Sequence, residues 1–166
     1  MAAVAIVRAG LERLDDLEPL WKALQDHHAA VAPTLGGLGA RTADEAWERR
    51  RKKYAAWLED PAAFALFAER EGRPVGYALV TVGEGPQGWA AGERVADVET
   101  LSVLAEERGR GVGTQLMDAV EDELLQRGIS ELRLLVIAPN AEAIRFYERR
   151  GLTTVSQVML GRIGCP

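Results

Sequence analysis

A chain of 166 residues, 48% apolar and 27% charged, is long enough to bury a sizeable core, and one domain spanning residues 1–166 is expected. No apolar run approaches the roughly 18–20 residues of a membrane span, and the opening MAAVAIVRAG has no basic stretch before a long apolar segment, so a cytoplasmic protein without a membrane partner is expected. A net charge of −5 argues against nucleic acid as a partner, and a lone cysteine, Cys165, excludes an intrachain disulfide or a cysteine metal cluster; nothing points to a metal.

AVAIVRAG reads as a short strand, after which Leu11, Leu14, Leu17, Trp21 and Leu24 recur at helical spacing. VAPTLGGLGAR carries a proline and three glycines, which end that helix in a loop. Thr42, with Glu45 three residues on, forms a capping-box pattern before a helix whose apolar face is Trp47, Tyr54 and Leu58. FALFAERE, RPVGYALVTV and RVADVETLSVL predict three successive antiparallel strands. Leu116, Val120 and Leu124 then line a helix that stops at Gly128. ELRLLVIA, nearly continuous in apolar residues, suits a strand buried on both faces. A short helix follows, with Asn140 as N-cap and Gly151 as terminator, and LTTVSQVML is expected to form a last strand.

Between the third strand of the meander and the next helix lies EERGRGVGTQLM, residues 106–117, with glycines at 109, 111 and 113 and arginines at 108 and 110. A helix N-terminus offers unpaired N–H groups and a positive dipole end, glycines let the backbone come close, and arginines add charge-assisted bonds, so the stretch suits two negative groups such as a pyrophosphate. An ordinary strand-to-helix turn with solvated arginines would carry the same residues. A dinucleotide fingerprint fits poorly, because Thr114 and Leu116 occupy the places of its third glycine. A P-loop fits poorly too, because Thr114 and Gln115 follow Gly113 where lysine and a hydroxyl residue are needed.

Arg108-x-x-Gly111-x-Gly113, the LSV strand before it and NAEAIRFYERRGL after it resemble, in order and spacing, the GNAT superfamily of N-acetyltransferases. The resemblance is specific over residues 95–152 and looser over nearly the whole chain. It implies an α/β fold of the α+β type: a central, mixed, mostly antiparallel twisted sheet of six to seven strands, flanked by about four helices, with a splayed strand pair that holds the cofactor. It also implies acetyl-CoA as acyl donor. Main-chain groups of Leu101, Ser102 and Val103 would pair with the pantetheine arm, while Arg108, Gly109, Arg110, Gly111, Val112, Gly113 and Thr114 would cradle the pyrophosphate. Asn140 matches the asparagine beside the pantetheine, although capping alone would also place an asparagine there.

By the same resemblance Tyr147 approaches the thioester sulfur and protonates the departing thiolate; a phenol with an ordinary pKa of about 10 is protonated at neutral pH. As core aromatics of a short helix, Phe146 and Tyr147 would need no such role. The acceptor ammonium must lose a proton before attack, and family members place a base at the positions of Asp97 or Glu99. By the two-residue strand period, 97, 99, 101 and 103 share one face, and two acids there raise each other's pKa; an exposed strand end is the plainer alternative. Glu99 is preferred as the base, being nearer Leu101 and longer.

Some relatives acting on protein N-termini carry a glutamate where this chain has Leu135, which moves weight from that substrate type to a small-molecule amine. The acceptor itself is unidentified. His27 and His28, ending the first helix, could contact substrate or relay a proton, or simply complement a helix C-terminus. The basic run 49–53, RRRKK, could meet an acidic acceptor or RNA, or be a solvated face. A non-catalytic acyl-CoA-binding sensor or interaction module is the alternative function, and the resemblance is compatible with a homodimer.

Overall fold

The computed structural model describes residues 3–161, 163 and 164; Cys165 lies outside them. Strand β1 (Val4–Ala9) leads through a 3-10 segment (Leu11–Asp16) into α1 (Leu17–Val31). Within the glycine-rich loop a small hairpin forms from β2 (Thr34–Leu35) and β3 (Leu38–Gly39), where only a loop is expected from sequence. Next comes α2 (Ala43–Leu58), started by a realised capping box: Glu45 N–H donates to Thr42 Oγ1 at 3.3 Å and Thr42 N–H donates to Glu45 Oε2 at 3.2 Å.

The meander follows as β4 (Phe64–Arg70), β5 (Arg73–Glu84) and β6 (Arg94–Val103). Helix α3 (Val112–Gln126), strand β7 (Leu132–Leu134) and helix α4 (Ala141–Arg149) complete the order. The central sheet runs β1-β4-β5-β6-β7, antiparallel except for the parallel pair β6–β7, and four helices flank it. The mixed, mostly antiparallel sheet is as expected; among the described residues it holds five strands, with β2–β3 standing apart.

Two cores sandwich the sheet. Phe64, Leu66, Ala78, Val80 and Val98 face α3, whose Leu116, Met117 and Val120 are fully buried. Ala65, Phe67, Tyr77 and Leu79 point the other way, against Leu17, Leu20 and Trp21 of α1 and Trp47, Tyr54 and Leu58 of α2. Each large aliphatic side chain so buried contributes about 1.5–3 kcal/mol relative to exposure, which fixes both helical layers on the strands.

Two expectations are corrected at the C-terminal edge. LTTVSQVML forms no strand: residues 152–160 carry no regular structure, with Val155, Val158 and Met159 exposed. Correspondingly, ELRLLVIA is not a strand buried on both faces. Only residues 132–134 pair, and Leu135 is 75% exposed. The two results share one cause, since without a further strand β7 is the sheet edge and its outer side has nothing to pack against. The tail runs instead to the β2–β3 turn, where a methyl group added at Gly36 would lie 2.8 Å from Leu160 Cδ2.

Candidate active site

The parallel ladder between β6 and β7 covers only Ala96, Asp97 and Val98 against Leu132, Arg133 and Leu134. Beyond that point the strands part, so the stretch from Thr100 to Val103 is paired on its β5 side alone. A cavity of about 380 Å³ opens there. Leu101, Ser102 and Val103 form one wall, Arg108, Gly109, Gly111, Val112, Gly113 and Thr114 the floor, Asn140, Phe146 and Tyr147 of α4 the far wall, and Leu24 and His27 of α1 the rim.

The floor follows from local backbone chemistry. Gly109 and Gly111 adopt φ of +72° and +81°, a region that favours glycine, and no heavy atom stands within contact of a methyl group added at Gly109. Gly111 is the N-cap of α3 and has no side chain to satisfy the first N–H groups, and residues 111–114 of that helix end line the cavity. That end favours an anion by about 0.3–1 kcal/mol per charge at an exposed site.

The two arginines of the loop separate. Arg108 donates from Nε to the Val103 carbonyl at 3.1 Å, and its Nη1 stands 3.2 Å from His27 Nδ1. Arg110 does not line the cavity; its Nη1 lies 4.0 Å from Glu107. Glu107 is buried and receives both Nε and Nη2 of Arg70, at 3.0 and 2.8 Å, so it ties the loop to β4. The Arg70 hydrogen bonds hold its carboxyl below the usual range, against desolvation. The composition of EERGRG gives no hint of this buried pair, because its partner is 37 residues away.

Helix α4 is set by its ends. Asn140 is buried and caps the helix, Oδ1 accepting from Ala143 N–H at 3.2 Å. At the other end Arg150 donates to Asp118 and Glu121 of α3 at 2.7 and 2.8 Å. Tyr147, seven residues after Asn140, enters the cavity on the same face. Burial pushes its phenol up to about 12.

The face assignment for the two acids needs correction. Between Leu79 and Val80 the β5–β6 register shifts, so Thr100 and Val98 are the successive partners and Glu99 is bulged out. The two-residue alternation breaks there. Leu101 and Val103 pack with the α3 core, whereas Glu99 bonds Thr81 Oγ1 at 2.9 Å, and Thr100 and Ser102 reach Tyr54 and the Leu20 carbonyl on the α1–α2 side. Asp97 lies opposite Thr81 and is held bidentately by Arg133 of β7, at 2.6 and 3.1 Å. A cation therefore stands beside the acids, which do not form an isolated like-charge pair.

His27 and His28 are both shifted down. For His27 desolvation leads and the Arg108 charge follows; for His28 desolvation leads, then the charges of His27, Arg50 and Arg108. Because a guanidinium only donates, His27 Nδ1 is the acceptor and the ring is neutral. Among the described residues no cluster of metal-ligating side chains occurs, and no helix is long and apolar enough to cross a membrane.

Residues 21–152 match the model of the acetyltransferase (GNAT) family. The chain belongs to the GNAT acetyltransferase family. Over 136 residues this GNAT chain is 33% identical to the mycothiol acetyltransferase of Thermobispora bispora, covering 82% of its own length and 43% of that protein's; it thus spans less than half of that relative. In fold it is similar to a GCN5-related N-acetyltransferase from Ralstonia eutropha, with a TM-score of 0.77 and 20% identity over 98% of this chain and all of the other. It is likewise similar to the aminoglycoside N-acetyltransferase AAC(6')-Iy in complex with CoA, with a TM-score of 0.71 and 18% identity over 99% and 97% of the two chains.

Proposed function

We propose that this GNAT enzyme moves the acetyl group of acetyl-CoA to the primary amine of a small molecule. The observation that carries the reading is the coincidence, in one cavity, of the uncovered β6 edge, the α3 N-terminus with its left-handed glycines, and the half-buried Tyr147. Acetyl-CoA fits these groups. A bare strand edge suits the amide-bearing pantetheine, and a glycine-walled helix terminus flanked by Arg108 suits its pyrophosphate. The thioester supplies the activated acyl group; the chain supplies position and proton transfer.

Glu99 takes the ammonium proton, directly or through water, leaving the nitrogen lone pair free to attack the carbonyl carbon. A C–N bond forms, the C–S bond breaks, and Tyr147 donates its proton to the leaving sulfur; the second N–H proton of the tetrahedral intermediate passes to the Tyr147 phenolate, and Glu99 releases the first to solvent. A phenol raised to about 12 holds its proton throughout the physiological range. Asp97 is the weaker candidate for base because Arg133 already engages both its oxygens. Leu101, Ser102 and Val103 with Asn140 hold the pantetheine, and residues 108–114 the phosphates, with Arg108 rather than Arg110 at the cavity.

The name of the curated relatives, mycothiol acetyltransferase, supports a small-molecule acceptor over a protein one. The test is release of free thiol from acetyl-CoA against a panel of amines and peptides. Thiol release with small amines supports the assignment; release with peptides alone, or binding of acetyl-CoA with no turnover across the panel, would favour a protein acceptor or a non-catalytic module.

A further inference from the structure

The basic run 49–53 divides when it is wound into α2. Arg51 turns to Asp15, 2.7 Å away, and Lys52 is exposed. Arg49, Arg50 and Lys53, together with Ala46, fall at the i, i+3, i+4, i+7 positions of one helix face. With Arg41, and with Trp21 and Gln25 of α1, they line an open hollow of about 330 Å³ at the surface.

Among the described residues none of Arg41, Arg49, Arg50 and Lys53 has a carboxylate within 4.0 Å, in a chain of net charge −5. Glu45 is occupied with the Thr42 cap, whose hydrogen bonds lead in lowering its pKa; the Arg41 and Arg49 charges add to them. Asp44 is paired with Lys22 at 2.6 Å. Two of the cations rest on aromatic rings, and the backbone of Arg41 is tied to α1. Arg50 lies 5.6 Å from the ring centres of both Trp21 and Tyr54, Lys53 lies 4.4 Å from that of Trp57, and Gln25 Nε2 donates to the Arg41 carbonyl at 3.2 Å. Preorganised, unpaired guanidinium groups around a hollow suit planar oxyanions.

The hollow also connects to the proposed reaction. Tyr54, beneath Arg50, bonds Thr100 at 2.5 Å, the residue after Glu99, on the sheet face to which the bulge turns Glu99. His28 feels both Arg50 of this hollow and Arg108 of the first cavity.

Resting on the proposed N-acetyltransferase activity, we propose that the α1–α2 pocket holds an oxyanion of the acceptor, so that the enzyme selects amines that also carry a phosphate or carboxylate group. Polycationic amines are disfavoured by the same charges.

The test begins with the full chain saturated with CoA, so that the Arg108 loop is occupied. Inorganic pyrophosphate and citrate are then titrated calorimetrically into wild type and into the double variant Arg49→Glu, Lys53→Glu, whose fold is checked by circular dichroism. At least one probe should bind wild type, at least tenfold tighter than the variant. Turnover is then compared within matched pairs, ethanolamine phosphate against ethanolamine and lysine against cadaverine. The anionic member should have at least tenfold higher kcat/KM, and the double variant should lose that preference. Response to pyrophosphate and ethanolamine phosphate only assigns a phosphate; response to citrate and lysine only assigns a carboxylate. Absence of probe binding, equal binding to the variant, or neutral members used as well as anionic ones overturns the proposal. If CoA does not bind, or no amine is acetylated, the activity reading fails separately, and the same titration on the Arg108→Ala chain still decides whether the pocket takes anions.

Discussion

Arg108 and His27 meet with Nη1 and Nδ1 3.2 Å apart, joining the last turns of α1 to the glycine loop across 81 residues of sequence. The contact requires an unprotonated Nδ1, and desolvation together with the Arg108 charge holds the His27 pKa below its ordinary value. A depressed pKa contributes stability that is fully present above the unfolded-state value of about 6.5 and is lost as pH falls through the folded-state value. His28, shifted the same way, adds to the effect. The melting temperature should therefore fall between pH 7.5 and 5.5. In His27→Gln, which keeps an acceptor for Arg108 without titrating, the fall should be smaller; a slope identical to wild type would show that the contact is not coupled to that proton.

The two acids differ in their partners: Glu99 accepts from Thr81 Oγ1, while Arg133 engages both oxygens of Asp97. On the proposed mechanism Glu99→Gln lowers turnover by about 10²–10⁴ near neutral pH, with partial recovery as rising pH deprotonates the amine itself. Asp97→Asn breaks a partly exposed ion pair with Arg133, for which a loss of about 0–1 kcal/mol of stability is expected. Its effect on turnover should be the smaller one. A pH–rate profile of both variants decides, and loss of activity confined to Asp97→Asn would reverse the assignment.

Tyr147→Phe removes a proton donor and keeps the ring. Turnover should drop by about 10² or more while CoA affinity stays near wild type. Because the phenol titrates near 12, the wild-type rate should show no loss from Tyr147 deprotonation up to pH 10. In stability the sign is opposite to that of His27: the raised pKa contributes below the unfolded value of about 10 and is lost as pH rises through about 12. Alkaline melts of wild type and Tyr147→Phe should diverge only in that window, and a large stability loss in the variant at pH 7 would mark Tyr147 as core.

What could be read from the sequence was local. The Thr42–Glu45 capping box, the Asn140 cap and the glycine loop at the start of α3 depend on residues within a few positions of one another, and each is found where the pattern placed it. Features set by distant partners could not be read this way. The bulge at Glu99 depends on the register with β5, and alternation within RVADVETLSV gives no sign of it. Arg108–His27, Arg70–Glu107 and Tyr54–Thr100 join residues 81, 37 and 46 positions apart, so each member is visible but the pairing is not. In LTTVSQVML, strand-forming residues are necessary for a strand but do not supply a partner edge.

Titration calorimetry of acetyl-CoA into wild type and Arg108→Ala tests the central claim most directly. One molecule should bind per chain, affinity should fall at least tenfold in Arg108→Ala and less in Arg110→Ala, whose guanidinium stands outside the cavity, and NAD should give no heat. Absence of acetyl-CoA binding, or binding indifferent to Arg108, would contradict the assignment of the β6–α3 cavity to the acyl donor.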